Sequence, residues 1–324
     1  MKKALCVGVY DPALIYTASP YCGDNVFAKG LELNWYDVTR FDYRATPTPD
    51  KDLLKIASEI KPDLFWFGKA ERISPDTIKI LKSWFPKAIF TKWAADVRDE
   101  PTTHDIGHNL YMDWFFGTFG GDYLLKHLLP TMKGVASIIT FTDSDFYKQI
   151  ETSDEWRSDV LWTGRKGFGD NNLRNEIIDY LYNESTSKNI KIFGFDKWLG
   201  NPEYLYAING TKIGIGSNSF NRVKYSSDRL GNYMACGTFY LTQYFEGIEE
   251  VFERGVNIDW FKNLEEMRDK INYYLENDDL RREVARKGQK FILKHFDCKP
   301  LVSNILNIIE TGKSNYNWDD VYTN

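Results

Sequence analysis

The chain has 324 residues, more than one hydrophobic core usually organises, so its length favours two domains of roughly 150 residues each. With 43% hydrophobic and 27% charged residues it falls in the globular range, which excludes disordered, collagen-like and disulfide-scaffold proteins. The 41 lysines and arginines against 46 acids leave a net charge of −5, which argues against a protein that coats duplex DNA by bulk charge.

The four cysteines, Cys6, Cys22, Cys236 and Cys298, are scattered, with no CxxC and no histidine at metal-ligand spacing, so a reduced, cytoplasmic setting fits them best. After Met-Lys-Lys only Ala4 to Tyr10 is apolar, too short for a signal sequence or a membrane span. That run predicts a first buried strand, Ala4 to Val9. Gly23-Asp24-Asn25 introduces a helix. Further strands are expected around Trp35 to Val38, Asp63 to Phe67, Ala88 to Trp93 and Ala136 to Phe141. Between them Ser74 caps a helix with Pro75 at its first position and Ile78, Leu81 and Phe85 on one face.

The polar stretch Glu151 to Ser158 reads as a linker. The alternation then begins again, with strands expected at Asp159 to Thr163, Ile190 to Phe193, Lys212 to Ile215, Thr238 to Leu241 and Val256 to Trp260. Helices are expected near 171–183, 228–236, 246–252, 263–276, 279–294 and 299–311. Strands alternating with helices in two series predict an α/β protein of two Rossmann-like, parallel-sheet domains facing a cleft. They divide as 1–155, 156–298 and a terminal helix and tail, 299–324, packing back toward the first domain. The tail from Lys313 is polar and aromatic, suited to packing on the surface or fraying.

The chain lacks GxGxxG after its first strand, GxxxxGK[ST], HExxH and GxSxG, which removes the main support for dehydrogenase and P-loop chemistry. Gly164-Arg165-Lys166-Gly167, after a strand and before a helix, offers backbone N–H groups and two cations, as a pyrophosphate requires. From Tyr225 to Thr238 a polar loop, a helix and a glycine precede the next strand. Asp96 to His108 gathers acids, two histidines and an arginine at an expected strand end, where a general base such as Asp96 or His104 belongs. Most of the many aromatics belong in the core, but Trp93 and Trp114 lie near the polar loop of residues 96–108 and suit stacking on a sugar.

From Asp159 onward the chain resembles the donor-binding half of GT-B glycosyltransferases, specifically the CgeB-like, or spore-maturation, group. The likeness rests on Ser227-Asp228-Arg229, Ala235-Cys236-Gly237, Phe252-Glu253-Arg254-Gly255, Leu264-Glu265-Glu266 and Tyr273-Tyr274-Leu275, in that order. In the first half Lys92-Trp93-Ala94-Ala95-Asp96 resembles the family's tryptophan-x-x-aspartate. Where retaining GT-B enzymes carry a glutamate for the ribose hydroxyls, this chain has Asn232, which bonds a hydroxyl without charge.

The resemblance implies a metal-independent hexosyl- or pentosyltransferase with a nucleotide sugar as co-substrate and no other cofactor. Gly164, Arg165, Lys166, Ser227, Arg229, Asn232, Gly237 and Thr238 are expected at the donor. Tyr10, Asp24, Trp93 and Trp114 are expected at the acceptor. The acceptor is a glycan, small molecule, protein or modified nucleobase hydroxyl, and nucleic acid enters only in that last form. A nucleotide-sugar epimerase and a non-catalytic spore or particle protein on the same fold are the alternatives. Asp143-Ser144-Asp145 spells the DxD of metal-dependent GT-A enzymes, but it follows an expected strand and opens a helix, where acids serve as caps.

Overall fold

The computed structural model describes residues 1–11, 23–95, 100–167, 169–185, 189–194 and 199–324. The chain divides into two compact units. Among the described residues the first takes 1–11, 23–139 and 298–324, and the second takes 140–297. The division falls earlier than the polar stretch 151–158, because residues 140–157 are tied into the second unit. Ile150 N donates to Asn209 Oδ1 at 3.0 Å, and Trp156 packs on Tyr206 with ring centroids 6.0 Å apart.

In the first unit the order is β1 (Lys3–Gly8), α1 (Gly23–Leu33), β2 (Asp37–Asp42), α2 (Pro49–Ile60), β3 (Leu64–Phe67), α3 (Pro75–Trp84), β4 (Ile89–Ala94), α4 (Thr103–Asn109), β5 (Trp114–Gly117) and β6 (Gly134–Ser137). The sheet runs β12-β6-β5-β4-β3-β1-β2, where β12 is Val321–Thr323, the last strand of the chain. All pairs are parallel except β12 with β6. Its inner strands β1, β3, β4, β5 and β6 are buried along nearly their whole length, as a sheet covered on both sides requires, and Phe65, Phe67 and Phe90 stack along it. Helix α3 starts as its sequence dictates, with Ser74 Oγ accepting the Thr77 N–H at 3.2 Å and proline in the first turn.

The second unit contains β7 (Ser158–Thr163), α5 (Asn172–Glu184), β8 (Ile190–Phe193), α6 (Glu203–Gly210), β9 (Thr211–Gly216), α7 (Arg229–Ala235), β10 (Phe239–Gln243), α8 (Ile248–Val251), β11 (Asp259–Phe261), α9 (Leu264–Glu276) and α10 (Asp278–His295). Its sheet runs β11-β10-β9-β7-β8, wholly parallel. Val160, Trp162, Ile213, Ile215 and Leu241 of the strands pack with Ile177, Ile178 and Leu181 of α5 and with Met267 and Ile271 of α9 into one apolar core. Helix α11 (Cys298–Thr311) belongs to the first unit, where it packs on α1.

The two parallel-sheet domains are as the alternation predicts, but several elements differ. The strand expected at 35–38 begins only at Asp37, because Trp35 takes a left-handed φ of 67° that ends the turn after α1. The strand expected at 136–141 stops at Ser137, and the buried run that follows carries the chain into the second unit. The strand expected at 256–260 is confined to β11, after the turn in which Gly255 N donates to Ile258 O at 2.7 Å. Segment 103–109, read as loop, is helix α4, closed by a capping box between Thr102 and Asp105. The tail forms β12. No helix among the described residues is long and apolar enough to cross a membrane.

Candidate functional site

In an open parallel sheet, ligands bind outside the carboxyl ends of the strands where the strand order reverses. In the second sheet that point lies between β7 and β9, which end at Thr163 and Gly216. Two arginines reach it, Arg174 from the first turn of α5 and Arg229 from the first residue of α7. Arg229 donates through Nη1 to the Thr163 carbonyl at 2.8 Å and through Nη2 to the Ser217 carbonyl at 2.9 Å. Arg174 donates to the same Ser217 carbonyl, and its Nε and Nη2 donate to the Arg165 carbonyl at 3.2 and 2.8 Å. Both guanidinium groups lie over the Trp162 indole, 4.8 and 5.8 Å from its ring centroid.

Both arginines are buried, at 2% and 6% exposure, and no carboxylate among the described residues lies within ion-pair distance of either. Asp228 acts on Arg229 only through space. Burial, and then the Arg229 charge beside it, push the Arg174 guanidinium down to about 9, so both remain cations at neutral pH. Two buried like charges held only by neutral carbonyls carry an effective desolvation cost of several kcal/mol each. An anion bound there offsets that cost. Ser227 Oγ and Thr140 Oγ1 are buried without a hydrogen-bond partner, the second against Gly231 of α7.

Gly164 follows β7 with a φ of 148°, and a Cβ there would meet Arg229 Nη1 and come within 2.8 Å of Arg174 Nη2. Only glycine leaves both guanidinium groups where they are. Arg165 and Lys166 are exposed on the same turn, and Lys166 pairs with Asp179. Asn232 is buried within α7, beside Tyr204. Gly237 and Thr238 stand elsewhere. Helix α7 runs from the carboxyl edge back to the amino edge, so Ser227 and Arg229 sit at one edge while Gly237 and Thr238 lead into the amino end of β10. Thr238 Oγ1 donates there to the Ile208 carbonyl at 2.8 Å. Their adjacency in sequence to Arg229 misplaces them at the donor.

The first sheet reverses between β1 and β3, and Asp24 occupies that point. Its carboxylate accepts the Val9 N–H at 2.8 Å and the Trp93 indole N–H at 2.7 Å. Gly8 and Gly68 lie so close that a Cβ on either would strike it. Tyr10 N donates to Asp42 Oδ2 at 2.7 Å beside this point. Trp93 is buried and packs on Phe27, ring centroids 4.7 Å apart. Trp114 starts β5 at the amino end, buried with its ring over Gly134. A tryptophan there belongs to the core, away from the carboxyl edge.

A cavity of about 460 Å³ opens at the carboxyl side of β3, β4 and β5, lined by Lys69, Lys92, His104, Asp105, Phe119 and Tyr123 among others. Helix α4 brings His104 and His108 together, ring centroids 3.9 Å apart, and both Nε2 atoms face the Ile73 carbonyl, at 3.0 and 2.7 Å. A carbonyl only accepts, so each Nε2 carries the proton and each Nδ1 is left as the basic nitrogen. Burial, then the Lys92 charge, push His108 down to about 3 and keep it neutral. Lys92 is buried in β4 with Nζ 3.0 Å from Asp105 Oδ1. Burial alone raises the Asp105 carboxyl, but Lys92 and Thr102 outweigh it and hold it at about 2.

Asp96 and residues 12–22 lie outside the described residues. In the DxD segment Ser144 N and Oγ donate to Asp297 at 2.9 and 2.6 Å, and Asp145 N donates to Asp143 Oδ1 at 3.0 Å. These three bonds are those of a turn within the second unit. Sequence reasoning passed over Arg174 and Lys92. A signal existed for the first, since Arg174 falls on the face of α5 that buries Ile177, Ile178 and Leu181. For the second it was a lysine amid the apolar strand Ile89–Ala94.

Residues 174–307 match a family model described as Glycosyl transferase-like. No curated protein matches the chain. Among solved structures it is similar to sucrose-phosphate synthase from Thermosynechococcus elongatus, at 10% identity and TM-score 0.61, over 97% of this chain and 100% of that one. It is similar to Anabaena HepE in complex with UDP and glucose, at 11% identity and TM-score 0.61, over 96% and 100%. A UDP-N-acetylglucosamine 2-epimerase described from Listeria monocytogenes matches at 10% identity and TM-score 0.55, over 96% and 97%. These likenesses establish the fold, the two-sheet GT-B architecture.

Proposed function

We propose that the protein is a glycosyltransferase of the GT-B kind. In this reading Arg174 and Arg229 take the diphosphate of a nucleotide sugar at the carboxyl edge of the second sheet. The observation that carries it is the pair of buried guanidinium groups without a carboxylate, at the point where an open sheet binds its ligand. The match of residues 174–307 to the glycosyltransferase-like model supports it, and HepE, in complex with UDP and glucose, points to UDP as the nucleotide to try first.

In the transfer, the bond from the anomeric carbon to the diphosphate oxygen breaks and a bond from that carbon to an acceptor oxygen forms. The nucleoside diphosphate leaves with its charge held by the two arginines. The hydroxyl proton goes to a base, and His104, whose Nδ1 is left basic beside the cavity of the first unit, is the residue to test for that role. Two fixed guanidinium groups supply the charge for which other transferases use a divalent ion, so we assign the reaction no metal and no further cofactor. The hexosyl or pentosyl group and the acceptor follow from substrate trials. We place the protein in the cytoplasm, where the buried thiols of Cys6, Cys236 and Cys298 stay reduced.

The test is UDP binding by calorimetry and transfer from radiolabelled nucleotide sugars. Arg229→Gln and Arg174→Gln should each weaken UDP binding ten- to a hundredfold, and unchanged affinity in both overturns the donor site. The likeness to an epimerase supports a second reading on the same site. An isomerised nucleotide sugar formed without any acceptor identifies that chemistry.

A further inference from the structure

The second unit has another concave surface, at the amino edge of its sheet. A groove of about 1170 Å³ runs beneath the first residues of β7, β9 and β10, with one wall formed by α10. That wall presents Arg281, Arg282 and Arg286, and Arg157 and Lys212 face the same space from the sheet side. Five cations therefore line the groove, against the two carboxylates of Glu151 and Asp159.

The charges are incompletely matched. A single carboxylate, Asp278, serves both Arg281 and Arg282, at 2.5 and 2.6 Å. Lys212 pairs with Asp159 at 2.7 Å, and Arg157 with Asp154 at 3.1 Å in full solvent. No carboxylate among the described residues lies within ion-pair distance of Arg286.

The floor is polar and built. Ser158 Oγ, in a residue 3% exposed, has no hydrogen-bond partner. The carbonyl end of α7, which would repel an anion, is occupied by Gln289, whose Nε2 donates to the Ala235 carbonyl at 2.8 Å. Arg281 is 5% exposed and held by the Tyr274 carbonyl as well as Asp278, so its guanidinium has a fixed position.

We propose that this groove is a second anion site, taking a small phosphate-bearing ligand at the sheet edge opposite Arg174 and Arg229. A concave, cation-lined space suits a compact dianion, whereas a flat basic face suits a membrane surface. Strands β7 and β9 and helix α7 run from this groove to the two arginines, so the same elements carry both sites.

The test is calorimetric titration of the full chain with inorganic pyrophosphate at 150 mM NaCl in the presence of saturating UDP, which fills the proposed donor site, so that only the groove is read. Arg282→Gln with Arg286→Gln alters only exposed side chains, so the fold is retained. The wild type should show a pyrophosphate site that the double variant weakens at least tenfold while UDP binding is unchanged. That site should survive Arg174→Gln, which makes the result independent of the donor assignment. Identical isotherms for wild type and double variant overturn the proposal. So does loss, in the double variant, of binding to phosphatidylglycerol vesicles alone, with pyrophosphate binding intact.

Discussion

The Trp93 indole N–H donates to the Asp24 carboxylate at 2.7 Å, and this bond joins the amino end of α1 to the carboxyl end of β4 across the reversal point of the first sheet. Asp24 also accepts the Val9 N–H. Asp24→Ala strands two buried donors, each worth about 1–3 kcal/mol. Urea denaturation should show a loss of about 2–5 kcal/mol, and Trp93→Phe, which keeps the ring, should cost less. A change below about 0.5 kcal/mol for Asp24→Ala would show that water takes its place.

Gly164→Ala tests the arginine pair without removing a charge. Its Cβ enters the space of both guanidinium groups and forces them off the Thr163 and Ser217 carbonyls. UDP affinity should fall more than tenfold in calorimetry. Equal affinity would mean that the pair does not contact the ligand.

His104→Gln keeps a hydrogen-bonding side chain at the cavity of the first unit but removes the basic nitrogen. Turnover should drop about a hundredfold or more while the Kd for UDP stays within twofold. If turnover stays within a few fold of wild type, His104 only positions α4.

Stability should fall on acidification, with a worked sign. His108 titrates near 6.5 when unfolded and at about 3 when folded, so between those values the unfolded chain binds the extra proton. Stability is therefore lost as pH drops below about 6.5, at up to about 1.4 kcal/mol per pH unit for this one group. Asp105, about 2 when folded against 3.8, adds its loss below about pH 4. Urea midpoints at pH 7.5 and 5 should separate in the wild type and converge in His108→Gln.

Transfer should persist in excess EDTA, and Asp145→Asn should leave it largely unaltered, because the donor charge is assigned to Arg174 and Arg229 and Asp143 accepts the Asp145 N–H. Strict Mn²⁺ or Mg²⁺ dependence abolished by that substitution would remove the metal-free donor site.

The sequence was most legible where periodicity and caps agree. Strand β8 lies where Ile190 to Phe193 predicts it, and α9 begins at its Asn263 cap, which accepts the Glu266 N–H at 2.9 Å. Strand β5 was missed because Trp114-Phe115-Phe116-Gly117 is too short to show a period and reads as a loose aromatic cluster. Helix α4 was missed because Thr103–Asn109 is polar and holds a glycine, although its Thr102 and Asp105 capping pair was visible. The site was half legible for a geometric reason. A helix that crosses from one sheet edge to the other separates residues that sequence keeps together, which is why Arg229 lies at the carboxyl edge and Thr238 at the amino edge.

The first unit draws its sheet from both ends of the chain. The antiparallel strand β12 closes the edge beyond β6, and α11 lies against α1. During synthesis, residues 140–297 emerge complete while the first sheet still lacks its border. The second unit is thus free to fold before β12 is made, and the first sheet is closed only once Val321–Thr323 have emerged. Until Val321–Thr323 dock, the open rim of β6 is a site for pairing with a neighbouring nascent chain.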